Sequence, residues 1–271
     1  MSDTHTLREA ADLLGVHYMT AYRYVRLGLL EAAKVDSSWR VSSEALDRFR
    51  AGTGAGPVER GGDAPWAERL EARLVEGDGT GAWRVVEAAM ASGADVRDVY
   101  LEMVAPAMVS IGARWADGEF DISVEHQATG IVQRIIGRLG PRFARRGRPR
   151  GGLVIGAPTG EFHGLTTAML ADLLRGHGWE VTDLGPNSPP TSFVRAGERM
   201  SELRGIGVSA THPDLLPSVA ETCRVVREAL PDVLLVAGGR ALSSREEALA
   251  LGADELALSA EHLDAMLAER A

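Results

Sequence analysis

The 271-residue chain has a single cysteine, Cys223. One thiol excludes a disulfide framework and a cysteine zinc site, and it fits a reducing cytoplasm. Long apolar runs are also missing. None approaches membrane-spanning length, and the polar N-terminus has no signal-peptide apolar core, so no membrane partner is expected. Cations are outnumbered, with 29 Lys and Arg against 38 Asp and Glu, and the net charge is −9. That balance argues against bulk, non-specific nucleic-acid binding. It leaves room for one small reading head, because binding follows local rather than total charge. There is no internal repeat, no long low-complexity tract, no nucleophile–base set and no metal-hydrolase spacing, so independent catalysis is not expected.

What is present suits two or three domains: 45% hydrophobic residues, enough for real cores, and two breaks in periodicity. Residues 53–64 are glycine-rich and aperiodic, as a flexible linker is. Arg145-Arg146-Gly147-Arg148-Pro149-Arg150 separates a helical stretch from the first strand of an α/β half. The expected domains are residues 1–52, 65–147 and 148–271.

In the first, Thr6–Leu14 reads as a helix with Thr6 and Glu9 forming a capping box. Gly15 ends it, and Thr20–Leu27 forms a second helix that stops at Gly28. A strand through Trp39-Arg40-Val41 and a helix Ser43–Phe49 follow. Helix, turn, helix and hairpin make a winged helix-turn-helix, with Thr20, Tyr22, Arg23, Arg26 and Arg40 as the candidates for DNA contact. The plain alternative is a small helical protein-interaction domain. Acidic and basic residues balance in this stretch, so one head alone should bind DNA weakly.

The second domain reads as a four-helix bundle: Trp66–Glu76, Ala82–Ala91, Val96–Trp115 and Ile122–Phe143. Val99, Met103, Val104, Met108, Ile111 and Trp115 recur at helical spacing. Asp117-Gly118 turns the chain, and Asp121 or Ser123 caps the last helix.

The third alternates strand and helix in five β-α units, which predicts a doubly wound, flavodoxin-like parallel sheet. Three signals fall just after its apolar strand runs: Glu161-Phe162-His163, Ser209-Ala210-Thr211 and Gly238-Gly239. Loops leaving the carboxyl ends of neighbouring parallel strands converge on one crevice. A neutral imidazole there is a good cobalt or iron ligand when its other ring nitrogen has an acceptor, and Glu161 sits two residues away. Ser209 and Thr211 offer hydroxyls, and the bare glycines allow a ring or ribose to lie against the backbone. The plain alternative makes His163 a helix-start residue, the hydroxyls caps and the glycines a turn. His177 and His212 read as surface or capping residues.

These signals resemble the cobalamin-binding fold of methionine synthase and corrinoid proteins, with its Asp-x-His-x-x-Gly, Ser-x-Leu or Ser-x-Thr, and Gly-Gly. The resemblance implies that His163 is the lower axial cobalt ligand. It also implies that the nucleotide tail passes Thr166, Ser209, Thr211, Gly238 and Gly239. Glutamate replaces aspartate at 161 and keeps the carboxylate. Thr166 stands where the family has glycine, a β-branched side chain where the tail enters.

The first domain resembles the excisionase-type members of the MerR-like superfamily. Trp115, followed after nine residues by Glu125-His126, resembles the helical cap of CarH/LitR-type photoreceptor regulators, as does the order head, cap, cobalamin fold. That resemblance implies tryptophan against the adenosyl group of adenosylcobalamin, Glu125 toward its ribose and His126 close by. The residue after the tryptophan can be histidine in that group and is Ala116 here. The implied function is a repressor of operator DNA that binds adenosylcobalamin between bundle and α/β domain. Light cleaves the cobalt–carbon bond, which changes a dimeric or tetrameric state. The alternatives are a regulator that senses cobalamin without light or another tetrapyrrole such as a bilin, and a corrinoid methyl carrier, for which a DNA-binding head has no use.

Overall fold

The computed structural model describes residues 4–14, 21–22, 24–25, 30–35, 38–53 and 65–269. The chain divides into two compact units, residues 1–131 and 132–271.

The first unit opens with strand β1 (Thr4–Thr6) and helix α1 (Leu7–Leu14). The predicted capping box is present: the Glu9 carboxylate accepts from the Thr6 amide at 2.7 Å, and the Glu9 amide donates to Thr6 Oγ1 at 3.2 Å. Residues 21–22 and 24–25 are helical, and the remainder of the expected second helix lies outside the described residues. The wing pairs β2 (Ala33–Val35) with β3 (Ser38–Ser42), and β1 adds a third strand on the other side of β3. Three residues of β1 are too few for a periodicity signal, so only the paired register reveals that strand. Helix α2 (Ser43–Thr53) completes the head, and Leu7, Ala10, Leu30, Val41 and Leu46 are buried in its core.

Next come α3 (Trp66–Val75) and α4 (Gly79–Ala91). Asp78 accepts from the Gly81 amide at 2.8 Å and starts α4 three residues before its apolar pattern begins. The long expected helix is present but irregular: α5 (Val96–Asp98), a π-helical stretch Val99–Val104, then α6 (Ala105–Ala116). Pro106 explains the irregularity. It has no amide hydrogen for the Glu102 carbonyl, and the Ala105 amide instead donates to Tyr100 O, five residues back. Gly118, at φ +77°, makes the predicted corner, and Asp121 is the cap, accepting from the Ser123 amide at 2.8 Å. Helix α7 (Ile122–Leu139) then runs across the division between the units and ends in a 3-10 turn, Gly140–Phe143.

The second unit is a five-stranded parallel sheet: β4 (Gly152–Gly156), β5 (Glu180–Asp183), β6 (Leu203–Ser209), β7 (Leu234–Gly238) and β8 (Glu255–Ala257). Its order is β5-β4-β6-β7-β8, the flavodoxin-like order expected from the sequence. The connecting helices are α8 (Leu165–Gly176), α9 (Pro190–Glu198), α10 (Leu216–Ala229), α11 (Arg245–Ala250) and α12 (Ala260–Ala268). β4 and β7 are buried along their whole length, as parallel strands covered on both faces are. Cys223 is buried inside α10, where desolvation pushes its thiol up to about 11. No helix among the described residues is long and apolar enough to cross a membrane.

Candidate cofactor site

In the second unit the strand order reverses at β4, so the loops after β4 and β6 flank the crevice where open α/β sheets take ligands. Three of the sequence-selected residues meet there. Glu161 is 1% exposed, yet four donors surround its carboxylate. Oε1 accepts from the His163 amide at 3.0 Å and from His163 Nδ1 at 2.6 Å. Oε2 accepts from the Thr211 amide at 2.6 Å and from Thr211 Oγ1 at 2.7 Å. Burial pushes the Glu161 carboxyl up, but the Thr211 and His163 donors outweigh burial and hold it below the ordinary value.

An ionised Glu161 makes Nδ1 the protonated nitrogen of His163. Nε2 then keeps its lone pair, and it has no hydrogen-bond partner among the described residues. The His163 side chain is 60% exposed although its carboxylate partner is buried, so the ring is oriented from below and open above. This donor set fits a metal-bearing group approached through Nε2. It also gives Thr211 a task other than the one its hydroxyl suggested, since Oγ1 is spent on Glu161 rather than offered outward.

The loop after β5 is hydrogen-bonded to the Glu161 loop, and no chemical pattern in the sequence singles it out. Asn187 adopts a left-handed conformation at φ +51°, donates its amide to the Glu161 carbonyl at 2.7 Å and accepts from the Gly160 amide at 2.9 Å. Asparagine tolerates that conformation, and Asn-Ser between prolines was the available signal.

Ser209 ends β6 directly beside Gly238 in register. The glycines are required by the protein's own backbone. A methyl group on Gly238 would lie 2.8 Å from Ala257 O, and one on Gly239, at φ +92°, would lie 2.1 Å from Ala210 O. Thr166 is exposed in the first turn of α8. His212 accepts from the Asp214 amide at 3.3 Å and caps the following 3-10 turn, and His177 pairs with Asp264 at 3.0 Å; both are capping or surface residues, as expected.

In the first unit Trp115 lies in the last turn of α6 and is 43% exposed, although it continues the inward row of Ala107 and Ile111. Arg114 fixes that corner, donating to Glu71 at 2.8 Å and to Glu119 at 2.9 Å and lying 4.0 Å over the Phe120 ring. Glu125 accepts from Thr129 Oγ1 at 2.8 Å, and His126 is largely exposed beside it. In the head, Tyr22 packs partly buried against the core and Arg40 is half-buried on β3. Thr20, Arg23 and Arg26 lie outside the described residues.

Comparison with known proteins matches three parts of the chain to family models: a helix-turn-helix domain over residues 6–53, and B12 binding domains over residues 66–139 and 151–267. The chain is 29% identical over 208 residues to the HTH-type transcriptional repressor CarH of Myxococcus xanthus, an alignment covering 75% of this chain and 67% of that one. In its order of parts and along most of its length the chain is similar to that CarH repressor. Its fold is also that of the monomethylamine corrinoid protein of Methanosarcina barkeri, at TM-score 0.66 and 17% identity, covering 76% of this chain and 98% of the other. It combines a DNA-binding helix-turn-helix domain with a cobalamin-binding α/β domain.

Proposed function

We propose that the chain is a repressor whose oligomeric state, and hence its grip on operator DNA, is set by adenosylcobalamin and light. The observation that carries this reading is the buried Glu161 carboxylate holding His163 Nδ1, which leaves Nε2 as the atom that would hold the cobalt of a cobalamin. Ser209 supplies a hydroxyl beside the glycine pair, where the nucleotide tail would run. The resemblance to the CarH/LitR cap assigns Trp115 to the adenine face, Glu125 to the ribose hydroxyls and His126 to their vicinity; an exposed tryptophan fits the first task, and Glu125, mostly buried and held by Thr129, keeps a second carboxylate oxygen for the other. When bound, adenosylcobalamin supplies a cobalt–carbon bond that visible light breaks. Without the adenosyl group, Trp115 and Glu125 would lack a partner, and with it the differential contact that would favour one assembly over another.

The test is gel filtration of the full chain with adenosylcobalamin in darkness and after green light. A change of size between the two supports the reading, and one size under every condition rejects it. Ala116 favours a second reading, in which cobalamin is sensed without light, since no histidine follows the tryptophan. An identical ligand-dependent size in darkness and light would select it. Absorption spectra after reconstitution separate cobalamin from a bilin.

A further inference from the structure

From His126 to Gly160 the sequence contains seven arginines and not one aspartate or glutamate. Those seven positive charges sit on a chain of net charge −9, which leaves −16 for everything else. All seven fall between Arg134 and Arg150, within the second unit. Arg134, Arg138 and Arg142 are spaced by four along α7 and the 3-10 turn that continues it, and all are exposed. Arg145 and Arg146 extend the run, also exposed.

The segment is held down rather than loose. Leu139 is fully buried and Phe143 is 7% exposed. Further along, Arg148 pairs with Glu202. Arg150 pairs with Asp264 at 2.5 Å and lies 4.5 Å over the Trp179 ring. Two of the seven therefore anchor the segment to the α/β unit. Arg134, Arg145 and Arg146 have no ion pair or hydrogen bond among the described residues.

A fixed row of exposed guanidinium groups, with no acid in its own segment and the nearby Asp172 carboxylate buried and paired with Arg175, matches a surface that is uniformly negative and regularly spaced. Four residues of helix advance about 6 Å, so Arg134 to Arg142 covers about 12 Å, a length that carries roughly three to four phosphates per strand of duplex. Guanidinium groups pair with phosphate oxygens in bidentate fashion. The head, with balanced acidic and basic residues, provides little of the sequence-independent attraction that dominates DNA affinity.

We infer that the Arg134–Arg146 row is a second DNA contact, which binds the phosphate backbone without reading sequence and supplements the helix-turn-helix. The inference rests on the DNA-binding reading of the chain. The row sets how strongly the protein holds any duplex, and the head sets which duplex it holds.

The test uses the full chain, dark-loaded with adenosylcobalamin, and a fluorescent duplex of scrambled sequence, with anisotropy recorded from 50 to 200 mM NaCl. In the triple variant R134A/R145A/R146A, the slope of log K against log [NaCl] should become shallower by about 2 to 3, since each phosphate contact contributes about 0.9. The triple lysine variant should keep most of the slope. A slope unchanged in the alanine variant overturns the inference while leaving the regulator reading intact. Equal slope loss in the alanine and lysine variants also overturns it, because charge is then not the cause. So does a changed gel-filtration size with the slope retained, which would assign the row to a second copy of the chain. A wild-type chain that binds no DNA overturns both this inference and the regulator reading.

Discussion

Glu161 is the residue on which the site turns, because one buried carboxylate satisfies two loops. It stays charged at low exposure only because four donors from His163 and Thr211 converge on it. Glu161→Gln puts an amide hydrogen where an acceptor is required and leaves the Thr211 and His163 donors competing for one oxygen. Cobalamin affinity should fall about 10- to 100-fold, the usual cost of losing the partner that orients a metal-bound histidine. Absorbance titration measures this, and unchanged affinity would show that His163 needs no orienting partner. Gly239 is a residue-scale case of a different kind. Its φ of +92° and the nearby Ala210 carbonyl leave no room for a side chain. Gly239→Ala should lower stability by about 2 kcal/mol or more, through combined strain and clash. A urea melt with an unchanged midpoint would contradict that.

At the scale of elements, one carboxylate adds the polar ties to a last described helix that already buries Leu263 and Leu267. Asp264 on α12 accepts from Trp179 Nε1 at 2.8 Å and His177 Nδ1 at 3.0 Å, and it pairs with Arg150. Burial pushes the Asp264 carboxyl up, but Trp179, Arg150 and His177 together hold it below its ordinary value. A carboxyl whose folded pKa is depressed adds stability that is present above the unfolded value, about 3.9, and is lost as pH falls through the folded one. The wild type should therefore lose part of its stability below about pH 4. Asp264→Asn should be less stable near neutrality by about 1–3 kcal/mol and show a flatter pH dependence in that acid window. Denaturant melts at stepped pH decide this; parallel curves for the two proteins would remove Asp264 from the account. α6 shows a related constraint. Pro106 forces the preceding π-helical stretch, and Arg114 ties the end of the helix to Glu71 and Glu119, so the exposed Trp115 sits on a fixed corner.

For the whole molecule, a ligand that binds the folded chain and not the unfolded one stabilises it by mass action. At a free adenosylcobalamin concentration of about 100 times Kd, the gain should be about 2.7 kcal/mol, seen as a higher Tm in darkness. His163→Ala should abolish most of that shift, and the unliganded Tm should fall as well, because the buried Glu161 carboxylate loses one of its four donors. A full shift in the variant would move the ligand elsewhere. The alternation of apolar runs was enough to give the five β-α units, and Asp117-Gly118 marked the corner after α6, because those signals are local. The positions of Glu161, His163, Ser209 and Gly238-Gly239 after strand runs were also legible, since parallel strands send such loops to one edge. The sequence could not show that Thr211 serves Glu161, that Asn187 bolts the same loop or that the double glycine accommodates Ala210 and Ala257. Those are contacts between residues far apart in the chain. They exist only once β5, β4, β6, β7 and β8 lie side by side, because pairing and close packing, not local preference, bring the groups within reach.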